Sequence, residues 1–187
     1  MPPSTSPFRR AAAALETSVV LDGPARPARS IAKLLSPGPI KATLSGSWLG
    51  HALHPIMTDL VIGSFVSASV LDFIGGDDSE AGAERLLAVG IASYGPTALT
   101  GLSDWADRAD NEPGVRRAGI VHALSNAVAL SLYTASLASR RTGSQRQGKL
   151  LALAGGAMMG AGGYLGGHLA YVQGVGVEPQ AAQAAAS

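Results

Sequence analysis

Apolar residues in this chain fall into four long blocks, at positions 55–74, 86–102, 119–138 and 150–172, separated by short polar links. Asp59 and Asp72 are the only charges in the first block, and the other three carry none. A helix on the surface of a soluble bundle shows charge on its outer face at nearly every turn. A bilayer core of about 30 Å instead takes roughly 17 to 25 apolar helical residues to cross. The blocks are 17 to 23 residues long and predict four transmembrane helices. The links at 75–80 (acidic), 104–117 (mixed, with Asn111-Glu112-Pro113-Gly114 as a breaker) and 140–149 (basic) are short. Short links make consecutive helices antiparallel neighbours. The predicted fold class is therefore all-α, an integral membrane four-helix antiparallel (up-down) bundle. Residues 1–46 read as a flexible arm with short amphipathic helices, 47–177 as the transmembrane domain and 178–187 as a disordered tail.

Punctuation refines this. Pro55 has no N–H to lose and a φ suited to a first helical turn, so the first span is expected to start there, with His54 at the cap and His51 just outside. Pro96 predicts a kink in the second span, where Ser93, Thr97 and Thr100 can bond freed carbonyls. In the arm, 8–21 and 29–35 read as short helices. The second sets Ile31, Leu34 and Leu35 apart from Arg29 and Lys33, the pattern of a segment lying in the membrane interface. Glu16 interrupts the apolar run that follows Arg9-Arg10, so no cleaved signal peptide is expected.

Composition adds exclusions. With no cysteine among 187 residues, disulfides, thiolate metal sites and Cys-ligated iron–sulfur clusters are ruled out within this chain. A net charge of +1 and no basic stripe with interleaved aromatics give no reason to expect nucleic acid.

Up-down topology brings the start of the first span, the end of the second, the start of the third and the end of the fourth to one side. All four histidines fall there: His51 and His54, His122, and His168. Asp59, Asp104, Asn126, Tyr164 and Tyr171 are expected at or near the same level. Each has an ordinary reading alone, as cap, interface anchor or interhelical hydrogen bond. Their convergence is what points to a site, since ionisable groups inside membranes are costly and mark function. Histidine without cysteine suits haem iron, or zinc, copper or non-haem iron. Haem b is the leading expectation and a His-ligated metal the second. The absence of Glu-x-x-His motifs argues against a di-iron carboxylate centre. In the fourth block Gly156, Gly160, Gly163, Gly166 and Gly167 predict close packing, either of another helix or of a flat cofactor.

The function expected from the residues is a haem- or metal-binding redox membrane protein, without enzymatic activity by itself. A small transporter or proton-relay subunit, relying on Asp59 and the kinked helix, is an alternative. A structural partner packing through its glycine-rich helix is another. Expected partners are the lipid bilayer and either a separate redox protein or a second copy. Nine Lys/Arg lie on the histidine side against five on the other, mostly in the arm. A basic arm without a signal is unfavourable to translocate, which puts both termini and the histidine layer on the cytoplasmic side of a bacterial inner membrane.

The order of the motifs resembles a bacterial family of predicted four-helix membrane proteins of unknown function. The matching pieces are Gly50-His51-Ala52-Leu53-His54-Pro55 with Thr58-Asp59, and Pro96-Thr97-Ala98-Leu99-Thr100-Gly101-Leu102-Ser103-Asp104-Trp105. They continue with His122-Ala123-Leu124-Ser125-Asn126, Tyr164-Leu165-Gly166-Gly167-His168-Leu169 and Gly174-Val175-Gly176-Val177. Some members of that family are fused to Rieske iron–sulfur or cytochrome domains. The resemblance implies a membrane location and, through those fusions alone, a link to electron transfer. No such domain follows Val177 in this chain, so an electron partner would have to be a separate protein.

Overall fold

The computed structural model describes residues 6–35 and 38–176. Among these, every regular element is helical. Three short helices, α1 (Pro7–Thr17), α2 (Asp22–Leu35) and α3 (Gly38–Ser45), precede four long ones, α4 (Leu53–Ile74), α5 (Glu80–Ala109), α6 (Pro113–Arg141) and α7 (Gln145–Tyr171). The tail expected from residue 178 and the first five residues of the arm lie outside the described residues. Helices α4 to α7 are each long and apolar enough to cross a membrane, and at most 28% of their most apolar windows is buried. Ile56, Leu60, Phe73, Leu124 and Leu153 point outward, where only lipid matches their chemistry. The chain is an all-α membrane bundle.

The helices overrun the apolar blocks, because main-chain hydrogen bonds continue into the polar turns. Helix α4 begins at Leu53, not Pro55. The proline is then the third helical residue, where a missing N–H costs nothing, and His54 lies inside the helix instead of capping it. Pro113, expected to break the chain, opens α6 as its first residue. The loop expected at 104–117 shrinks accordingly to residues 110–112. Gly143, at φ +86°, turns the chain between α6 and α7. Pro96 sits inside α5. One residue on, the Thr97 hydroxyl donates to Ser93 O at 2.8 Å and contacts Met57 O at 3.3 Å.

The contacts divide into two compact units, and each long helix contributes to both. One holds the described residues of Met1–His54, Thr100–Ala123 and Gly163–Ser187; the other holds Pro55–Leu99 and Leu124–Gly162. In the second unit the core is Val61, Phe65, Ala68, Leu87, Tyr133 and their neighbours. Phe65 and Tyr133 stack at 3.8 Å with planes 9° apart. Gly90 lies against Phe65 and Gly82 against Leu71, so α4 and α5 run antiparallel. Gly148 against Arg140, Gly155 against Tyr133 and Gly162 against Asn126 do the same for α6 and α7.

Arg140, read from sequence as a loop charge, is fully buried and pairs with Asp72 through both guanidinium nitrogens, at 2.7 and 2.5 Å. Its Nε donates to Ser136 Oγ at 3.2 Å, and that hydroxyl donates to Gly148 O at 2.7 Å.

The first unit ties the arm to helix ends. Ala32 of α2 packs with Trp105, Ala109, Val115, Ala118 and Leu169. Trp105 Nε1 donates to Val115 O at 3.1 Å. Asp22 receives Arg116 and Arg117, Arg29 bonds Asp110, and Lys41 bonds Asp107 and the Ser103 carbonyl.

A bidentate pair this enclosed leaves an unsatisfied charge when one partner is removed. Arg140→Met is expected to cost about 3–5 kcal/mol of stability. Asp72→Asn added to it should restore much of that loss, as read by denaturant unfolding in detergent. A loss in the double variant equal to the sum of the two single losses would show that the pair is not coupled.

Candidate functional site

All four histidines belong to the first unit, together with Asp104, Tyr164 and Tyr171. Asp59 and Asn126, expected at the same level, fall in the second. Asp59 is exposed there, and Asn126 lies against Gly162, where an added Cβ would come 2.5 Å from its Oδ1.

His54 is half-buried, its Nδ1 3.1 Å from Thr100 Oγ1. Its ring lies over Gly101, where a Cβ would meet Cε1 at 2.6 Å. His122 lies over Gly166 in the same way, with Cε1 2.9 Å from the Cβ position. His168, at the end of α7, directs Nε2 to Glu16 Oε1 at 2.5 Å, and Gln173 Nε2 donates to the same oxygen at 2.8 Å. His51 is exposed. Its carbonyl crowds Gly46, whose φ of +78° and lack of a side chain let the turn close.

Asp104 is buried, and Gly176 closes on it so tightly that a Cβ would lie 3.0 Å from Oδ2. Arg108 holds that returning segment by donating to Gln173 O at 2.5 Å. Tyr164 packs on Phe8 of the arm at 5.5 Å, and Tyr171 is exposed.

The glycines of α7 divide by neighbour. Gly155 and Gly156 meet Tyr133, Gly162 meets Asn126 and Gly166 meets His122, so that face receives side chains of α6. Gly160 and Gly163 have nothing within 4 Å, and Gly167 meets only Tyr171.

Among the described residues, no group of three or more His, Asp or Glu gathers as a metal site. Glu16 was informative in sequence only as the residue that ends an apolar run. Its spacing from buried Ala12, one turn apart on one face, is the signal that it turns inward.

Phe65 and Tyr133, like Asp72 and Arg140, are separated by 68 positions. So are the buried pairs Val61 and Ala129, and Ala68 and Ser136. His54 and His122 stand at the same separation. The glycines facing these side chains repeat as well, at a separation of 65: Gly90 and Gly155 behind the stacked rings, Gly101 and Gly166 behind the histidines. The hairpin α4–α5 is thus repeated, in side-chain roles, by α6–α7.

A family model described as "Predicted membrane protein (DUF2231)" matches residues 50–179. No curated protein matches the chain, and no solved structure does.

Asp22 is held at about 2, against an ordinary 3.8, first by hydrogen bonding from Arg117 and then by Arg116, with burial opposing. A carboxyl whose folded value is depressed stabilises fully above its unfolded value and loses that contribution as pH falls toward the folded one. Hydrogen-exchange protection factors of α1 and α2, corrected for the pH dependence of intrinsic exchange, should therefore fall as pH drops from about 4 toward 2. Asp22→Asn should remove that step, and an unchanged profile would count against the pair as the arm's tie.

The glycine contacts make a second expectation. Gly101→Ala and Gly166→Ala should lower unfolding stability by about 1–3 kcal/mol, because an imidazole must move. Gly160→Ala and Gly163→Ala should stay within about 0.5 kcal/mol of the parent.

Proposed function

Since the chain belongs to the DUF2231 family of predicted membrane proteins, we propose that its histidine-bearing unit binds haem b through His54 and His122 and serves electron transfer. The observation that carries this reading is the equivalence of the two histidines. They hold the same place in two repeated side-chain patterns, His54 in the first turn of α4 and His122 well inside α6, and each is seated on a glycine of the following helix. Positions 54, 61, 65, 68 and 72 follow a three-and-four spacing that keeps them on one stripe of α4, and 122, 129, 133, 136 and 140 do the same on α6. The stripes meet at Phe65 with Tyr133 and at Asp72 with Arg140. His54 and His122 continue these two sequence stripes, and two histidines at equivalent positions of repeated hairpins are the supply a bis-histidine haem needs.

The donor set supports the choice of ligands. Thr100 engages His54 Nδ1 and fixes the ring, as outer-shell partners do. His168 gives its Nε2 to Glu16 and acts here as a tie for the arm, not as a ligand. A bound haem would supply one-electron transfer; the protein supplies the two nitrogens, their orientation and an apolar surround. A zinc, copper or non-haem iron held by the same pair is the next reading. Electrons would be exchanged with a separate redox protein. The basic arm sets this side toward the cytoplasm of a bacterial inner membrane, with both termini there.

The Glu16–His168–Gln173 group favours a second reading, a proton relay, because a carboxylate and an imidazole at 2.5 Å can pass a proton between them. In proteoliposomes, that reading expects a pH gradient to collapse through the parent protein and to persist with Glu16→Gln.

The haem reading is tested by absorption of the detergent-purified protein, oxidised and then reduced, with metal analysis of the same sample. A Soret band that shifts on reduction is expected. It should vanish in His54→Ala and in His122→Ala and survive in His168→Ala. Colourless protein with stoichiometric metal moves the assignment to a metal centre. Protein with neither, after haem was supplied during expression, ends the redox reading.

A further inference from the structure

The family match begins at residue 50, so the three helices of the arm lie outside it. Those helices sort their chemistry with unusual consistency. Among the described residues, both acids of the arm turn inward: Glu16 to His168 and Gln173, Asp22 to Arg116 and Arg117. Two of its bases also turn inward, Arg29 to Asp110 and Lys41 to Asp107. The remaining bases, Arg9, Arg10, Arg26 and Lys33, are exposed and have no partner among the described residues. The arm also carries large apolar side chains that are mostly exposed. Val20 is 78% exposed, Leu34 73%, Trp48 66% and Phe8 64%.

Helix α2 shows the arrangement at 100° per residue. Ala25 and Ala32 are buried on one side, while Pro27, Ile31 and Leu34 form a stripe on the other, with Arg26 and Lys33 along its border. An apolar stripe edged by cations and an exposed tryptophan is the make-up of a helix lying in a headgroup layer.

What covers this face follows from where the arm is fastened. Its ties run to Ser103, Asp107 and Asp110 at the end of α5, Arg116 and Arg117 at the start of α6, and His168 at the end of α7. These are the ends of membrane-crossing helices. A segment fixed at that level has the boundary of the same bilayer beside it. We propose that the outer face of the arm, from Phe8 to Trp48, seats in the headgroup layer of that bilayer, with Arg26 and Lys33 pairing with anionic phospholipid headgroups.

The chain has no cysteine, so single spin labels can be placed without background. The full-length protein carries Val20→Cys, Leu34→Cys or, as a reference in the exposed α6–α7 turn, Ser144→Cys. Each is reconstituted in nanodiscs of phosphatidylcholine alone or mixed with phosphatidylglycerol. The ratio of oxygen to aqueous nickel-chelate collision rates should be about threefold higher at positions 20 and 34 than at 144. It should rise further with phosphatidylglycerol, and Arg26→Gln with Lys33→Gln should cancel that rise. Arm labels as water-accessible as the reference would overturn the proposal. So would labels shielded from both reagents, which would mean that a protein surface covers the face. An identical ratio in the two lipid mixtures would overturn the pairing with anionic headgroups.

Discussion

Between membrane helices no water is available to fill a gap or to partner a polar group, so whatever one helix projects its neighbour must receive. This chain meets that demand by setting a ring or a branched polar side chain on one helix against a glycine on the next. Phe65 faces Gly90, Tyr133 faces Gly155, Asn126 faces Gly162, Trp105 faces Gly119, and His54 and His122 face Gly101 and Gly166. Each pairing lets two backbones approach while a bulky group remains between them. The buried Arg140 follows the same rule, with Gly148 beneath its stem and Asp72 across its guanidinium. Glycine is a poor helix former in water. Here it determines where the large groups can sit.

Seen this way, the candidate site is set by packing before it is set by chemistry. The two imidazoles stand at the same 68-residue separation as the stacked rings and the ion pair farther along α4 and α6. A histidine there is held at a defined height, against a defined backbone, whatever it goes on to bind. That is the preorganisation a ligand pair needs.

The four spans were legible because lipid imposes a long-wavelength signal, apolar runs without charge, that single residues cannot obscure. Their ends were less so. Pro55 and Pro113 each read as a boundary, yet one lies inside its helix and the other begins one, since proline is equally at home throughout a first turn. Topology alone put the four histidines toward one end of the spans, and the first compact unit holds all four. Asp59 was misleading for the same reason, because position along a span says nothing about which way a side chain faces. Arg140 and Glu16 were invisible as partners, since their mates lie 68 and 152 positions away. Nothing local in the chain encodes such a distance.

The repeat explains why the arm holds where it does. The separation of 65 that relates Gly101 to Gly166 also relates Ser103 in α5 to His168 in α7. Lys41 of the arm bonds the first, through its carbonyl at 2.7 Å, and Glu16 bonds the second at 2.5 Å. The two hairpins are therefore gripped at equivalent places by opposite charges from different helices of the arm. A repeated pair of hairpins has near-identical ends that could exchange roles. One acid and one base, fastened to a serine on one copy and a histidine on the other, break that equivalence. The same asymmetry reaches the proposed ligands: Thr100 stands beside His54, and its counterpart at the same separation is the buried Leu165. Two histidines made equivalent by the fold are thereby given different neighbours, and a group bound between them would meet two chemically distinct sides.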